Sequence, residues 1–381
     1  MKYKLGQFLE LVDRRNTDLC YGEDDVRGVS NNKQFMPTKA NVAGTELGKF
    51  FVVAPNEFVY NSRTTRMGEK VGLGYNDTEE TFITSWNNTA FRVKSYTNDL
   101  LPAYLFVYFN RPEFDRYARF NSWGSSTELF SWEDMCDITI DLPPLPVQQK
   151  YVDVYNAILA NQRAYESRLD DLNTAIAASI EEFKHIAPRV VVGRLLEETD
   201  TRNRDGAIVN VQGININKEF MPSVANLSTT DLTKYKVIHK DQFAYSAMQT
   251  GRDECIRIAL FHDDEPVIIS PAYSVLQVKD ESALAEYIML WFSRSESDRY
   301  GWFISDSSIR ASLELTRFYE IEIPLPSVEK QKAVVNFYNA RHLILKNITM
   351  LGNMLKDICP ILIKGSLEEA SAQDSQHAAR H

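Results

Sequence analysis

The sequence predicts an α+β protein: two similar mixed α/β domains separated by a pair of long antiparallel coiled-coil helices, related by a pseudo-twofold internal repeat. Three observations lead there. Short strings recur in one order at a nearly constant offset, each copy opens with a strand-and-turn region, and each copy closes in a long heptad-patterned run.

The repeat is read first. Lys33-Gln34-Phe35-Met36-Pro37 recurs as Lys218-Glu219-Phe220-Met221-Pro222, an offset of 185. The same offset carries Gly28 to Gly213, Ala40-Asn41 to Ala225-Asn226, Phe58 and Tyr60 to Phe243 and Tyr245, and Ile83 and Ser85 to Ile268 and Ser270. Asp115-Arg116-Tyr117 matches Asp298-Arg299-Tyr300 at 183. Pro144-Leu145-Pro146 pairs with Pro324-Leu325-Pro326, and Gln149-Lys150 with Gln331-Lys332. Matches that keep one order with so little drift indicate duplication of one unit.

In copy one, Phe50–Val53, Phe58–Tyr60, Phe82–Thr84 and Ala90–Val93 are β-branched and aromatic between Asn, Gly and Pro breaks, which predicts strands. A helix is predicted over 101–110, where Leu101, Tyr104, Leu105 and Tyr108 share a face, and another over Glu113–Phe120. Copy two repeats this with strands near Tyr235–Ile238, Ile256–Phe261, Val267–Ile269 and Ser274–Val278 and a helix near Ala283–Arg294.

The long runs follow. Ile158, Tyr165, Leu172 and Ser179 fall seven apart, with Gln162, Leu169, Ile176 and Phe183 as companion row. Phe337, Ile344, Leu351 and Ile358 pair with Arg341, Ile348, Leu355 and Leu362 in the second. A seven-residue apolar seam is what two helices need to wrap around each other, and Val147–Phe183 would reach about 55 Å. Pro146 and Pro326 are expected just before the helices, where a missing N–H costs nothing. Pro188 stops the first helix, and Pro360 is expected to end or kink the second. The resulting boundaries are a first mixed domain at 1–143, a first long helix at 144–187, a second mixed domain at 188–323, a second long helix at 324–364 and a disordered polar tail at 365–381.

Composition narrows the function. The 381 residues are 44% apolar and 25% charged, an ordinary globular mix. Cys20, Cys136, Cys255 and Cys359 lie far apart without a CxxC pair, which argues against a disulfide framework or a structural zinc and for a reduced, cytoplasmic setting. No apolar run reaches the roughly 18 residues of a spanning helix, so no membrane partner is expected. The net charge of -10 argues against binding nucleic acid by bulk electrostatics, but leaves room for a narrow basic strip.

No catalytic pattern stands out. GxGxxG, GxxxxGK[ST], GxSxG and HExxH are all absent, and Asp141-Leu142-Pro143-Pro144 has the wrong order for an amino-methyltransferase loop. Cys255 and His262 are seven residues apart, and paired acids such as Asp24-Asp25 read as solvated loop tips. No catalytic residue and no metal ligand is assigned.

Binding chemistry is better represented. After the strand Phe58–Tyr60 come Asn61, Ser62, Arg63, Thr64, Thr65 and Arg66, donors suited to phosphates and base edges. Copy two offers Ser246, Gln249 and Arg252 at the corresponding place. A second polar stretch contains Ser125 and Ser126, matched by Ser308 and Arg310. Equal scaffolds with unequal loops are what one reader fold tuned to two sequences requires. The plain alternative is that Ser, Thr, Asn and Gly are simply what loops contain.

On the duplicated unit, the Phe-Met-Pro and Phe-x-Tyr-Asn/Ser strings and the Pro-Leu-Pro…Gln-Lys helix entries, the sequence to about residue 364 resembles the specificity (S) subunit of type I restriction-modification systems. The resemblance implies a non-catalytic protein with two target recognition domains, each reading one half of a split site on double-stranded DNA. The long helices would act as a ruler and dock two methyltransferase subunits, with restriction/translocase subunits joining for cleavage. No cofactor would be held by this chain; S-adenosylmethionine would sit in the methyltransferase partner. On the residues alone, a coiled-coil scaffold that binds proteins without reading DNA stays open, supported by Trp86, Trp123 and Trp302.

Overall fold

The computed structural model describes residues 2–38, 40–63, 70–124, 127–223, 230–248, 254–306 and 311–378. The chain forms two compact units, Met1–Tyr165 with Asn347–His381, and Glu166–Lys346.

The first unit runs β1 (Lys2–Lys4), β2 (Leu9–Leu11), β3 (Arg27–Val29), β4 (Phe35–Pro37), β5 (Phe51–Val53), β6 (Glu57–Tyr60), β7 (Leu73–Tyr75), β8 (Phe82–Thr84) and β9 (Thr89–Val93). Then come α1 (Pro102–Phe109), α2 (Pro112–Phe120), α3 (Trp132–Asp137), β10 (Thr139–Asp141) and the start of α4 (Leu145–Ile186). One sheet has the order β2-β9-β6-β7, all antiparallel, while β3-β4, β5-β8 and β1-β10 are separate pairs. Proline opens both α1 and α2, with φ already set for a helix. The core is aromatic: Phe58 stacks on Tyr75 and Phe91, and Phe109 and Phe114 close over them from the helices.

The second unit continues from α4 with β11 (Arg189–Val191), α5 (Val192–Leu195), β12 (Leu196–Thr199), β13 (Val211–Ile214), β14 (Phe220–Pro222), β15 (Lys236–Ile238), β16 (Phe243–Ser246), β17 (Arg257–Leu260), β18 (Val267–Ile269) and β19 (Ser274–Val278). It closes with α6 (Ala285–Phe292), α7 (Ser295–Phe303), α8 (Leu315–Tyr319), β20 (Glu322–Pro324) and the start of α9 (Val328–Ala378). The sheet β12-β19-β16-β17 repeats the first unit's main sheet. The outer pairs differ: parallel pairing of β13 with β18 joins them into one sheet, β14-β13-β18-β15, where the first unit has a single parallel bridge, Val26 to Ile83.

The duplication holds element by element. Gly6 and Gly193 mark one match, because each backbone lies so close to the short helix after the tip loops that an added Cβ would fall 2.9 Å from the Cβ of Cys136 or Tyr319. Asn16 and Asn203 mark another: each is buried and bridges a carbonyl five residues on to a second carbonyl, Leu47 or Leu232.

Three expectations need correcting. The helix-entry strings align differently from their letters. Gln148, not Gln149, is the counterpart of Gln331: both are fully buried, donate to the carbonyl five residues back and accept from the backbone N–H of Leu101 or Leu284. Asp141-Leu142-Pro143 therefore answers to Pro324-Leu325-Pro326, and Pro146 lies inside the first turn of α4.

The tail is helical as far as Ala378. The α9 helix passes Pro360 and continues into it. A mid-helix proline costs about 3 kcal/mol. Here Cys359, Leu362 and Ile363 flank it in the first unit's core, and Ser366, fully buried, hydrogen-bonds the Tyr104 hydroxyl at 2.7 Å. Composition misled because polar Ser and Glu read as solvated, whereas here one face of them is held.

The seam of α9 is also displaced. Phe337 is 41% exposed, and Val334, Val335 and Tyr338 turn inward instead. Leu351 and Leu355 are buried as expected; Tyr165, Leu169, Leu172, Ile344 and Ile348 are half-buried. Ile158 packs on the first core and Ile176 on the second. The two helices run antiparallel within each unit. Lys150 of α4 pairs with Glu369 of α9 at 2.7 Å in the first, and Glu182 of α4 with Lys330 of α9 at 2.7 Å in the second.

Candidate nucleic-acid interface

The candidate site of each unit lies where its two polar loops meet. In the first unit, β6 ends at Tyr60 because Asn61 turns the chain: its side-chain oxygen accepts the N–H of Arg63 at 3.0 Å. The carbonyl of Ser62 accepts the N–H of Phe130 at 2.8 Å, and Arg63 bridges to Leu129, which pairs with Trp123 across the second loop. Tyr60, buried in the sheet, donates its hydroxyl to the Phe130 carbonyl at 3.4 Å, and burial pushes its pKa well up. The second unit repeats the stitch. Leu313 donates its N–H to Ala247 at 2.8 Å, Met248 bridges to Ser312, and the Tyr245 hydroxyl donates to the Leu313 carbonyl at 2.6 Å.

Thus the tyrosine of the Phe-x-Tyr string has a mechanical role. It ties the end of one strand to the segment that follows the second polar stretch, so the described edges of the two stretches meet in each unit. Of the named loop residues, Asn61 and Arg63 stand at the first tip and Ser246 at the second, the latter opposite Arg257 in the sheet register. Thr64, Arg66, Ser125, Ser126, Gln249, Arg252, Ser308 and Arg310 lie outside the described residues.

Sequence reasoning singled out Trp123 but missed Phe120 and Phe303 on the apolar side of these tips. Phe120 and Trp123 are 78% and 70% exposed, and Phe303 is 82% exposed at the position matching Phe120. The signal was present, since the Asp-Arg-Tyr repeat extends by x-x-Phe in both copies. An exposed ring can stack on a base or fill a partner's pocket.

Also missed was the ion pair beneath each tip. Lys33, at the positive-φ turn between β3 and β4, is buried and pairs with Asp115 of α2 at 2.6 Å. Burial draws the Lys33 pKa down while Asp115 draws it up. Lys218 and Asp298 repeat the pair at 2.5 Å. Among the described residues no cluster of three His, Cys, Asp or Glu side chains could hold a metal ion, and no helix is long and apolar enough to cross a membrane.

This fold has counterparts among solved structures. The S subunit of a type I restriction-modification system from M. genitalium superposes over 96% of this chain and 95% of that one, with a TM-score of 0.62 at 12% identity. The fold is that of a type I specificity subunit. The HsdS subunit from Thermoanaerobacter tengcongensis covers 96% of both chains at TM-score 0.37 and 13% identity. A chain from a structure of complex assembly and conformational transition in the type I R-M system covers 96% and 98%, at TM-score 0.44 and 13% identity. No protein-family model matches the sequence, nor does any curated protein. What is shared at such identity is the specificity-subunit fold.

Proposed function

We propose that this chain is the DNA-reading subunit of a type I restriction-modification complex. Each tip reads half of a bipartite target on double-stranded DNA, and the two long helices set the spacing between halves. The helices dock two methyltransferase subunits, which hold S-adenosylmethionine, and restriction/translocase subunits join that core. The chain itself does no chemistry in this reading.

The observation that carries the proposal is the match over nearly the whole of both chains with the M. genitalium S subunit. The stitched tips add to it, because equal frames with unequal loops suit two different half-sites. B-DNA turns once in about 34 Å, so a rigid spacer between readers selects one separation of half-sites. Two weak contacts joined rigidly also bind far more tightly than either alone.

The test is to exchange residues 1–140 for those of another specificity subunit and map the modified motif in cells carrying the partner subunits. One half-site should change and the other stay. Change in both halves, or in neither, would remove the proposal.

A second reading is a protein-interaction scaffold. The exposed Phe120, Trp123 and Phe303 favour it, since bare aromatic rings also mark protein interfaces. Absence of any DNA footprint from the assembled complex would promote it.

A further inference from the structure

We propose that the first unit carries a phosphate-binding groove beside its reader loops, and that the second unit lacks an equivalent. The proposal rests on the DNA reading above. The groove, about 550 Å³, is walled by the β3–β4 turn, by α2 and by the stretch of α9 around Lys356. Exposed Lys70, Arg116, Arg119 and Lys356 ring it, Arg116 also pairing at 3.1 Å with Glu113 outside the groove, and buried Lys33 lies at its floor. Two carboxylates share it, Asp115 and Asp357. Asp115 is already committed, accepting from Lys33 at 2.6 Å and from the Val71 N–H at 3.0 Å.

The balance is therefore positive in a chain whose total is -10. Lys70 also depresses the Lys33 pKa, after burial itself, so the cations crowd one another and an anion would relieve them. Lys356 reaches across to the Asn32 side-chain oxygen at 3.2 Å, which holds the helix's cation against the turn.

Position gives the ligand. Lys70 directly follows residues 64–69 in sequence, and Arg119 stands two residues before Asn121, where the second polar stretch begins. A duplex whose base edges meet those loops carries its backbone past this groove. Arg and Lys against phosphate fix register without reading sequence.

The matching groove of the second unit is occupied by its own charges. There Lys184 pairs with Glu181 at 2.8 Å and Arg294 with Glu296 at 3.2 Å, all four lining that groove, in addition to the Lys–Asp pair that both units share. Internal carboxylates stand where a phosphate would go.

The test uses the full chain with its methyltransferase partner, titrated with labelled duplex DNA from roughly 50 to 200 mM salt. Arg116→Ala with Lys356→Ala, both exposed positions, should weaken binding about tenfold at the low-salt end. The slope of log affinity against log salt should become shallower by about 1 per lost contact. The loss should be the same on the target and on an unrelated duplex, while the methylated motif is unchanged. Lys184→Ala with Arg341→Ala, from the second groove, should leave affinity and slope as they were; circular dichroism checks folding of each. Wild-type affinity and slope in the first variant overturn the groove while leaving the DNA reading intact. An equal loss in the second variant overturns the asymmetry. A wild-type complex that binds no duplex overturns the reading and the groove together.

Discussion

Lys33 Nζ lies 2.6 Å from Asp115 Oδ1, and Lys218 repeats the contact with Asp298 in the other copy. The Lys-x-Phe-Met-Pro and Asp-Arg-Tyr strings, which looked like separate repeat markers, are thus two halves of one bolt. Each Asp also takes a backbone N–H from the strand region after the first tip loop, Val71 or Ile256. The bolt therefore fixes the hairpin, the helix and the loop exit at a single point.

Removing one partner strands a buried charge. Lys33→Met should destabilise the first unit by about 3 kcal/mol, seen as a lower denaturant midpoint. Lys33→Met with Asp115→Asn should cost less than the two single changes added together. Simple addition of the two would show that the residues do not act as a pair.

Gln148 and Gln331 each fill three hydrogen bonds in a fully buried site. Gln148→Ala should cost about 2 kcal/mol, because a backbone N–H and two carbonyls lose their partner. Gln331→Ala should cost the same in the second unit, while Gln149→Ala, on the exposed face, should be silent in thermal melts. Equal effects at 148 and 149 would return the repeat to its letter alignment.

Arg63 stands exposed at the first tip. Arg63→Ala should weaken target binding by about 1–3 kcal/mol if it meets a base edge, and relax sequence preference in one half-site only. Selection from a randomised duplex library separates that from a uniform loss, which would mark a phosphate contact instead.

Alkaline pH should destabilise the first unit. Burial pushes Cys359, Tyr75 and Tyr104 up to about 12, from ordinary values of 9.0 for the thiol and 10.0 for the phenols. The folded state thus keeps protons that the unfolded chain releases. The stability this contributes is whole below about pH 9 and lost as pH climbs through about 12. Cys359→Ala should flatten the first part of that fall in pH-dependent denaturant titrations. At pH 8, iodoacetamide should modify exposed Cys20 and spare Cys359 until the protein unfolds.

Ending the chain after Lys364 removes Ser366 from Tyr104 and Glu369 from Lys150. Hydrogen exchange should then rise in α1 and in the start of α4, with the second unit unchanged. Unaltered protection would mean that the last turns of α9 only decorate the surface.

Legible in the string alone were the duplication, the strands Phe82–Thr84 and Val267–Ile269 to the residue, the helices near 102–109 and 285–292, and the two long helical runs. These are local matters. Side-chain period, β-branching and proline position act over a few residues and are written directly in the string.

Tertiary structure decided the rest. Lys33 meets Asp115 across 82 residues, Tyr104 meets Ser366 across 262, and Lys356 meets Asn32 across 324. Whether Gln148 or Gln149 is the clamp turned on which carbonyls were waiting. The helix past Pro360 persists because a core formed by distant segments holds both sides of it. Such choices depend on burial, which is a property of the assembled chain and not of any window within it.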